Sequence, residues 1–328
     1  MNTSDHRSSY RATAAAATAV VAVTAILCLC AAFEPVRADE PDGDLYPVRL
    51  AFLSNAFQGT TKTDVAAALP VYIDEMAREV PGVVASAVVI DTLEEATKGI
   101  AEKKIDIVIC RSIDYVRNKE TWNATSEYTS VRSGYSSQAL LLLTRNKDVS
   151  DVRGLRGMSL ALPEKNELAD IYLNSLIRAA GGESVESFFG TTNREEKPAN
   201  GLLKVMMGKW DVCLVEEGTF RIAAEMNQQV KKRLRVVAQS ANFPVSAGAY
   251  RDKFPKDVMK EIQGFLTDRM PKTQRGKQIL TLFRSDGMAT IDDAAYDSIR
   301  KLLRETGEAV AQDAAPAHTL ESATALAD

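Results

Sequence analysis

The feature that most constrains this chain is an alternation of short apolar runs with stretches of helical spacing, and it occurs in two separate blocks. The first block opens with "VRLAFL" (48–53), followed by a helical pattern over about Asp64–Val80 and by "VVASAVVID" (83–91). Ala67, Leu69, Val71, Tyr72 and Met76 are among the apolar positions of that helix, with Thr63 or Asp64 as its cap. In "TLEEATKGIAEKK", Thr92 with Glu95 three residues on predicts a capping-box helix start. "IDIVIC" (105–110) is apolar almost throughout, as a strand covered on both faces should be. Strands alternating with helices at this spacing predict a doubly wound α/β sheet.

The second block begins after "EYTSVRSGYSSQALLLLTR" (127–145), which reads as two extended segments joined through Gly134. It comprises a strand at 158–162, a helix at about 166–180 closed by Gly181 and Gly182, and a short strand in "SFFG". A helix in "PANGLLKVMMGK", the strand "DVCLV" (211–215), a helix opening at Glu216 and the strand "LRVVAQS" (234–240) complete it. "FPVSAGAYRD" (243–252) then returns the chain to the first block, and helical patterns at Pro255–Met270, Thr273–Phe283 and Ile291–Val310 finish the body. The expected architecture is two doubly wound α/β domains joined by extended crossovers near 140–146 and 242–250. Domain 1 is discontinuous (46–142 and 245–312), domain 2 spans 143–244, and a disordered tail covers 313–328. Such a layout leaves a cleft lined by strand C-termini, where hinge closure can enclose a ligand.

Composition narrows the class. At 328 residues, 45% hydrophobic and 26% charged, the chain can bury two cores, and a net charge of −4 argues against a broad nucleic-acid surface. His6, Arg7 and Arg11 precede an uncharged run from Ala12 to Phe33, and Val36-Arg37-Ala38 fits a small-residue cleavage site. This predicts a signal peptide over 1–38 and a start near Asp39; an uncleaved anchor is the alternative. A lipoprotein start at Cys28 or Cys30 is disfavoured by the bulky Leu27 and Leu29. Cys110 and Cys213 sit inside apolar runs and read as buried free thiols. The only histidines are His6 and His318, so no metal, cofactor or Ser-His-Asp chemistry is expected in the body, and no enzyme.

Five ordered stretches carry a resemblance: "KIDIVICRSIDYV" (104–116), "DVRGLRGMSLAL" (151–162), "MMGKWDVCLVEEG" (206–218), "FPVSAGAYRDKFPKDVMKEIQGFL" and "GMATIDDAAYDSIRKLL". Together, over about residues 46–305, they resemble the substrate-binding proteins of phosphate, phosphite and phosphonate ABC transporters. The resemblance implies the type II periplasmic binding-protein fold. It also implies a monomer outside the cytoplasmic membrane that delivers a small polar, phosphate- or phosphonate-like anion to an ABC permease. Two motifs depart from that family. Its phosphonate binders usually offer Ser/Thr-rich turns at the strand–helix junction, where this chain has Pro163-Glu164-Lys165-Asn166-Glu167. They also tend to place Ser-His where "GTTNREE" (190–196) stands. A second reading keeps the fold as an envelope sensor or interaction subunit, with a zwitterionic or cationic ligand.

Candidate ligand contacts follow from position. Ser54, Asn55 and Gln58, with Thr60 and Thr61, are small polar groups just after the first strand, or ordinary loop and cap residues. Arg111 with Ser112 after the third strand suits a bidentate grip on an oxyanion, or an ion pair with a nearby acid. Tyr115 is a cleft wall or plain packing, and Ser136 either reaches the cleft from the crossover or sits in a surface turn. Thr191, Thr192 and Asn193, beside Arg194, are a hydroxyl–amide–cation cluster or a flexible polar loop. Glu164, Glu167 and Glu216 suit an amine or complement helix dipoles, and Asn166 reads as a ligand group or as an N-cap.

Overall fold

The computed structural model describes residues 45–57 and 60–308. The expected signal peptide 1–38, the tail 313–328 and Gln58 lie outside the described residues. In chain order the strands are β1 (Tyr46–Leu53), β2 (Val83–Ile90), β3 (Ile107–Cys110), β4 (Ala124–Val131), β5 (Ser137–Gln138), β6 (Leu140–Thr144) and β7 (Ser159–Pro163). They continue as β8 (Thr191–Glu195), β9 (Val212–Glu216), β10 (Arg235–Gln239), β11 (Phe243–Pro244), β12 (Ala247–Arg251) and β13 (Gly287–Thr290). The α-helices are α1 (Lys62–Glu79), α2 (Leu93–Ala101), α3 (Ser112–Trp122), α4 (Glu167–Ala179), α5 (Val185–Phe188) and α6 (Pro198–Met206). After them come α7 (Glu217–Met226), α8 (Gln228–Arg233), α9 (Lys256–Gly264), α10 (Gln274–Leu282) and α11 (Asp297–Thr306).

Among the described residues, six strands form one sheet in the order β13-β4-β12-β3-β1-β2 and five form a second, β10-β6-β9-β7-β8. The α/β class with two sheets is as the alternation of patterns predicts. β1 pairs in parallel with both β2 and β3, and β7 pairs in parallel with β8 and β9. Their carboxyl ends therefore face the same way within each sheet. The chain passes between sheets twice, through 132–139 and 240–246, and these passages pair as the two-residue ladder β5–β11. The first passage lies before the expected 140–146. Residues 140–144 are β6, an inner strand of the second sheet, because its leucines are buried on both faces. Leu140 and Leu142 join one core cluster and Leu141 and Leu143 the other, as a period of two requires.

Local signals explain the element starts. Thr92 and Glu95 form the expected capping box at α2. At α1 the cap is Thr61, two residues before the expected Thr63, and Asp64 is its reciprocal partner in a capping box rather than the cap itself. Asn166 caps α4 through its side-chain oxygen, which accepts from the Ala169 amide at 3.1 Å. The "SFFG" strand is corrected: Val185–Phe188 is a helical turn capped by Ser184, with Phe188 and Phe189 buried as its anchors. The strand begins at Thr191 instead, after Gly190 passes so close to Gly157 that a Cβ there would meet its carbonyl oxygen at 2.4 Å. The sequence reading also leaves out β13, which pairs antiparallel with β4.

One ion cluster fixes the β1–β3 edge far from the strand C-termini. Asp106, fully buried, accepts from Arg49 Nε at 2.7 Å, from Arg49 Nη2 at 2.9 Å and from Arg251 Nε at 2.7 Å. Burial opposes the ionised form, but the hydrogen bonds from Arg49 and Arg251 prevail and hold the Asp106 carboxyl below its ordinary value. A further tie runs between the sheets. α11, whose chain follows the first sheet, packs on α4 of the second, and Arg178 Nη1 donates to the Thr306 carbonyl at 3.1 Å.

Candidate functional site

The carboxyl ends of β1, β3, β7 and β9 converge on a cleft. After β1, Ser54 and Asn55 face it with Thr60 and Thr61; after β3 comes Arg111; beyond β7 lies Glu164, and β9 ends in Glu216. The outer part is a cavity of about 600 Å³, within the size range of small-molecule sites. A smaller recess of about 60 Å³ lies at the crossovers, lined by Arg111, Ser112, Arg132, Gln138, Asn166 and Glu216 among others.

Several polar groups here already have partners. Arg111 is bidentate to Asp114, Nε to Oδ2 at 2.7 Å and Nη2 to Oδ1 at 2.6 Å, so its strongest fork is filled within its own helix turn. The same Nη2 lies 3.0 Å from Glu167 Oε2, a residue of the opposite sheet's α4. Ser112, nearly fully buried, donates its hydroxyl to the Pro244 carbonyl of β11. Thr61 Oγ1 donates to Asp64 Oδ2 at 2.7 Å as part of the cap. Ser54 hydrogen-bonds Asp91, whose carboxyl is held below its ordinary value first by Lys62 and then by Ser54. Thr60 differs: its buried Oγ1 has no partner among the described residues. Glu216 lies 3.9 Å from Arg132 Nη1. Gln138 accepts from the Gly218 amide at 3.0 Å and donates to the Arg132 carbonyl at 3.1 Å, tying β5 to the start of α7.

The charge distribution across the outer cavity is lopsided. Glu164, Glu167, Asp170 and Glu196 line it from the second sheet, against Arg111 from the first and Lys165 at the junction. Arg194 does not relieve this freely, since it is paired with Asp170 at 2.9 Å.

Of the residues singled out in the sequence, Ser54, Asn55, Thr60, Thr61, Arg111, Ser112, Glu164, Asn166 and Glu216 come together around the cleft. Five do not. Tyr115 is fully buried; its hydroxyl donates to Asp293 Oδ1 at 2.7 Å and its ring packs on Tyr296 at 4.8 Å. Burial, then Asp293, pushes its phenol up, and the buried ring makes it a packing residue. Ser136 lies outside both cavities and accepts through its carbonyl from Val245. Thr191, Thr192 and Asn193 belong to β8 rather than a loop. Because β8 runs parallel to β7 with Thr191 opposite Ser159, they sit toward the strand's amino end, and Glu195 and Glu196 reach the cleft end instead.

The sequence reading passed over Arg117, Arg132, Asp170 and Glu196. Asp170 was accessible, since it lies three residues after Glu167 on the same face of α4. Arg132 and Arg117 carry no local signal, their partners being 84 and 50 residues away in sequence. As a chemical site the cleft can hold a small polar solute. Burial pushes the Cys110 and Cys213 thiols up, which leaves both protonated and unreactive. Among the described residues no group of three His, Cys, Asp or Glu is placed to hold a metal ion, and no helix is long and apolar enough to cross a membrane.

Comparison with known proteins places this geometry. Residues 60–296 match the family described as ABC transporter, phosphonate, periplasmic substrate-binding protein. A solved structure of PhnD1 from Prochlorococcus marinus in complex with methylphosphonate is similar, with TM-score 0.54 and 12% identity over 80% of this chain and 98% of that one. A Xanthomonas citri protein bound to ATP gives TM-score 0.53 and 13% identity, covering 80% of this chain and 97% of the other. A binding protein component of an ABC phosphonate transporter from Pseudomonas aeruginosa gives 0.50 and 13%, covering 80% and 87%. At such identities the likeness is one of fold. No curated protein sequence matches the chain.

Proposed function

The chain belongs to the periplasmic substrate-binding proteins of phosphonate ABC transporters, and from that premise we propose that it captures a small polar, phosphonate- or phosphate-like solute between its two sheets and delivers it to a permease. The two sheets act as the two domains, exchanging the chain at 132–139 and 240–246. The protein works as a monomer outside the cytoplasmic membrane, with residues 1–38 removed on export. The observation that carries this reading is convergence: the ends of β1, β3 and β7, from two sheets, meet at one cavity of about 600 Å³ that carries charged groups from both sides, and Glu216 at the end of β9 lines the adjoining recess. A solute touching both sides favours the closed form, and closure is the signal that a permease reads. Ser54, Asn55, Thr60, Arg111, Glu164 and Glu216 are the proposed contacts.

The carboxylates favour a second reading of the ligand. With Glu164, Glu167, Asp170 and Glu196 on one wall, a solute carrying an amine beside its oxyanion is accommodated better than a bare anion. A thermal-shift screen tests both readings. Phosphate, phosphite, methylphosphonate, 2-aminoethylphosphonate, amino acids and polyamines form the panel. A binder at a hundredfold excess over its Kd adds about 2.7 kcal/mol of stability. A response to phosphonates supports capture, a response confined to the amine-bearing compounds supports the zwitterion, and silence across the panel overturns both.

A further inference from the structure

Glu167 occupies a position that a captured anion would be expected to take. It is the first residue of α4, yet its carboxylate turns across the cleft: Oε2 lies 3.0 Å from Arg111 Nη2, and Oε1 accepts from Arg117 Nη1. Both arginines belong to α3 or its cap, on the side of the first sheet. Their remaining contacts are carboxylates from that same side, Asp114 for Arg111 and Glu308, at 3.2 Å, for Arg117. Glu167 is thus the group from the opposite sheet that completes the cluster. The helix start does not need it as a cap, since Asn166 already bonds the Ala169 amide.

We propose that Glu167 is a tethered substitute for a ligand anion: it draws the two sheets together when the cleft is empty, and an anionic solute must displace it to reach Arg111 and Arg117. The inference rests on the solute-capture reading of the cleft and adds a specificity determinant to it. The side chains of Glu167, Arg111 and Arg117 are 33%, 26% and 24% exposed, so solvent and solutes reach the cluster. Partly exposed ion pairs each shift an equilibrium by only about one- to fivefold, so two of them bias closure by about tenfold without locking it. Displacement is then feasible, but a bare oxyanion meets a carboxylate already in place and binds weakly. A solute that brings its own cation for Glu167, or leaves it undisturbed, does not pay this penalty.

The test compares the wild-type protein with Glu167→Gln and Arg117→Gln by small-angle scattering without ligand and by calorimetric titration with inorganic phosphate. Far-UV circular dichroism checks that each variant is folded. Both variants are expected to have a larger radius of gyration than the wild type. Glu167→Gln is expected to bind phosphate at least about tenfold more tightly, whereas Arg117→Gln, having lost a cation, does not. If Glu167→Gln fails to fold, expansion in Arg117→Gln carries the test. Unchanged compactness in every folded variant overturns the proposal, as does phosphate binding by the wild type that is no weaker than binding by Glu167→Gln. The two readings separate cleanly. Expansion of the variants with no solute binding to any form supports the latch and removes solute capture, while solute binding by a wild type whose variants stay compact removes the latch alone.

Discussion

The two ends of β3 carry ion clusters of similar composition and different consequence. At one end Asp106 sits fully buried between Arg49 and Arg251, all within the first sheet. At the other, Arg111 joins Asp114 on its own side to Glu167 on the far side of the cleft. Both use guanidinium–carboxylate forks with distances near 2.7 Å. They differ in burial and in what they connect. A carboxylate sealed from water is costly to leave unpaired, whereas a partly exposed carboxylate spanning two sheets can let go at little cost. The same chemistry therefore acts as a fastening at one end of the strand and as an adjustable contact at the other.

The sharpest way to break this comparison is Asp106→Ala. Removing the buried carboxylate leaves Arg251, 18% exposed, without its main partner while Arg49, 38% exposed, turns to water, and stability should fall by about 3 kcal/mol in urea unfolding. A loss no larger than that of Arg111→Ala would show the two ends to be alike. Acid should reveal the same fastening. The Asp106 carboxyl is held below its ordinary value of 3.8, so its contribution is fully present above about pH 4 and is lost as pH falls through the lower folded value. In Asp106→Ala the part of the acid destabilisation below about pH 4 that belongs to this carboxyl should vanish. Arg111→Ala is intermediate: it strands the buried Asp114 carboxylate, at about 2 kcal/mol, and removes the proposed oxyanion grip. Unchanged affinity for an anionic ligand in that variant would remove Arg111 from the site. The smallest effect on stability belongs to Thr60→Val. Its hydroxyl is already without a partner among the described residues, so unfolding should shift by less than about 0.5 kcal/mol while solute affinity falls.

This contrast also marks how far the sequence can be read. Patterns that one segment writes by itself were legible: Thr92 with Glu95, Asn166 before α4, and the uninterrupted apolar "IVIC" of β3. Arg111 was legible as a candidate because it directly follows a strand. Its neutralisation by Glu167 was not, because that pairing joins residues 56 positions apart that only the folded cleft brings together. β8 and β13 escaped for a related reason. "TTNRE" is a sheet-edge strand with four of its five residues at least partly exposed, and "GMAT" is too short to show a period, so neither writes an apolar pattern. Tyr115 stayed open between a cleft wall and plain packing, and its burial against Tyr296 is what shows that it packs.

The position of β12 bears on the order in which the molecule can assemble. It lies between β3 and β4, with Gly248 opposite Ile109 and Tyr128, although it follows them by more than a hundred residues. Strands of the second sheet are contained within 140–239, so that sheet can close while the ribosome is still making the rest. The first sheet cannot, and until Arg251 has been synthesised the facing edges of β3 and β4 have no strand between them. Such long-range pairing slows folding and leaves open edges that attract other chains. The half of the protein begun first is therefore finished last, and in that interval it is the half most in need of a chaperone.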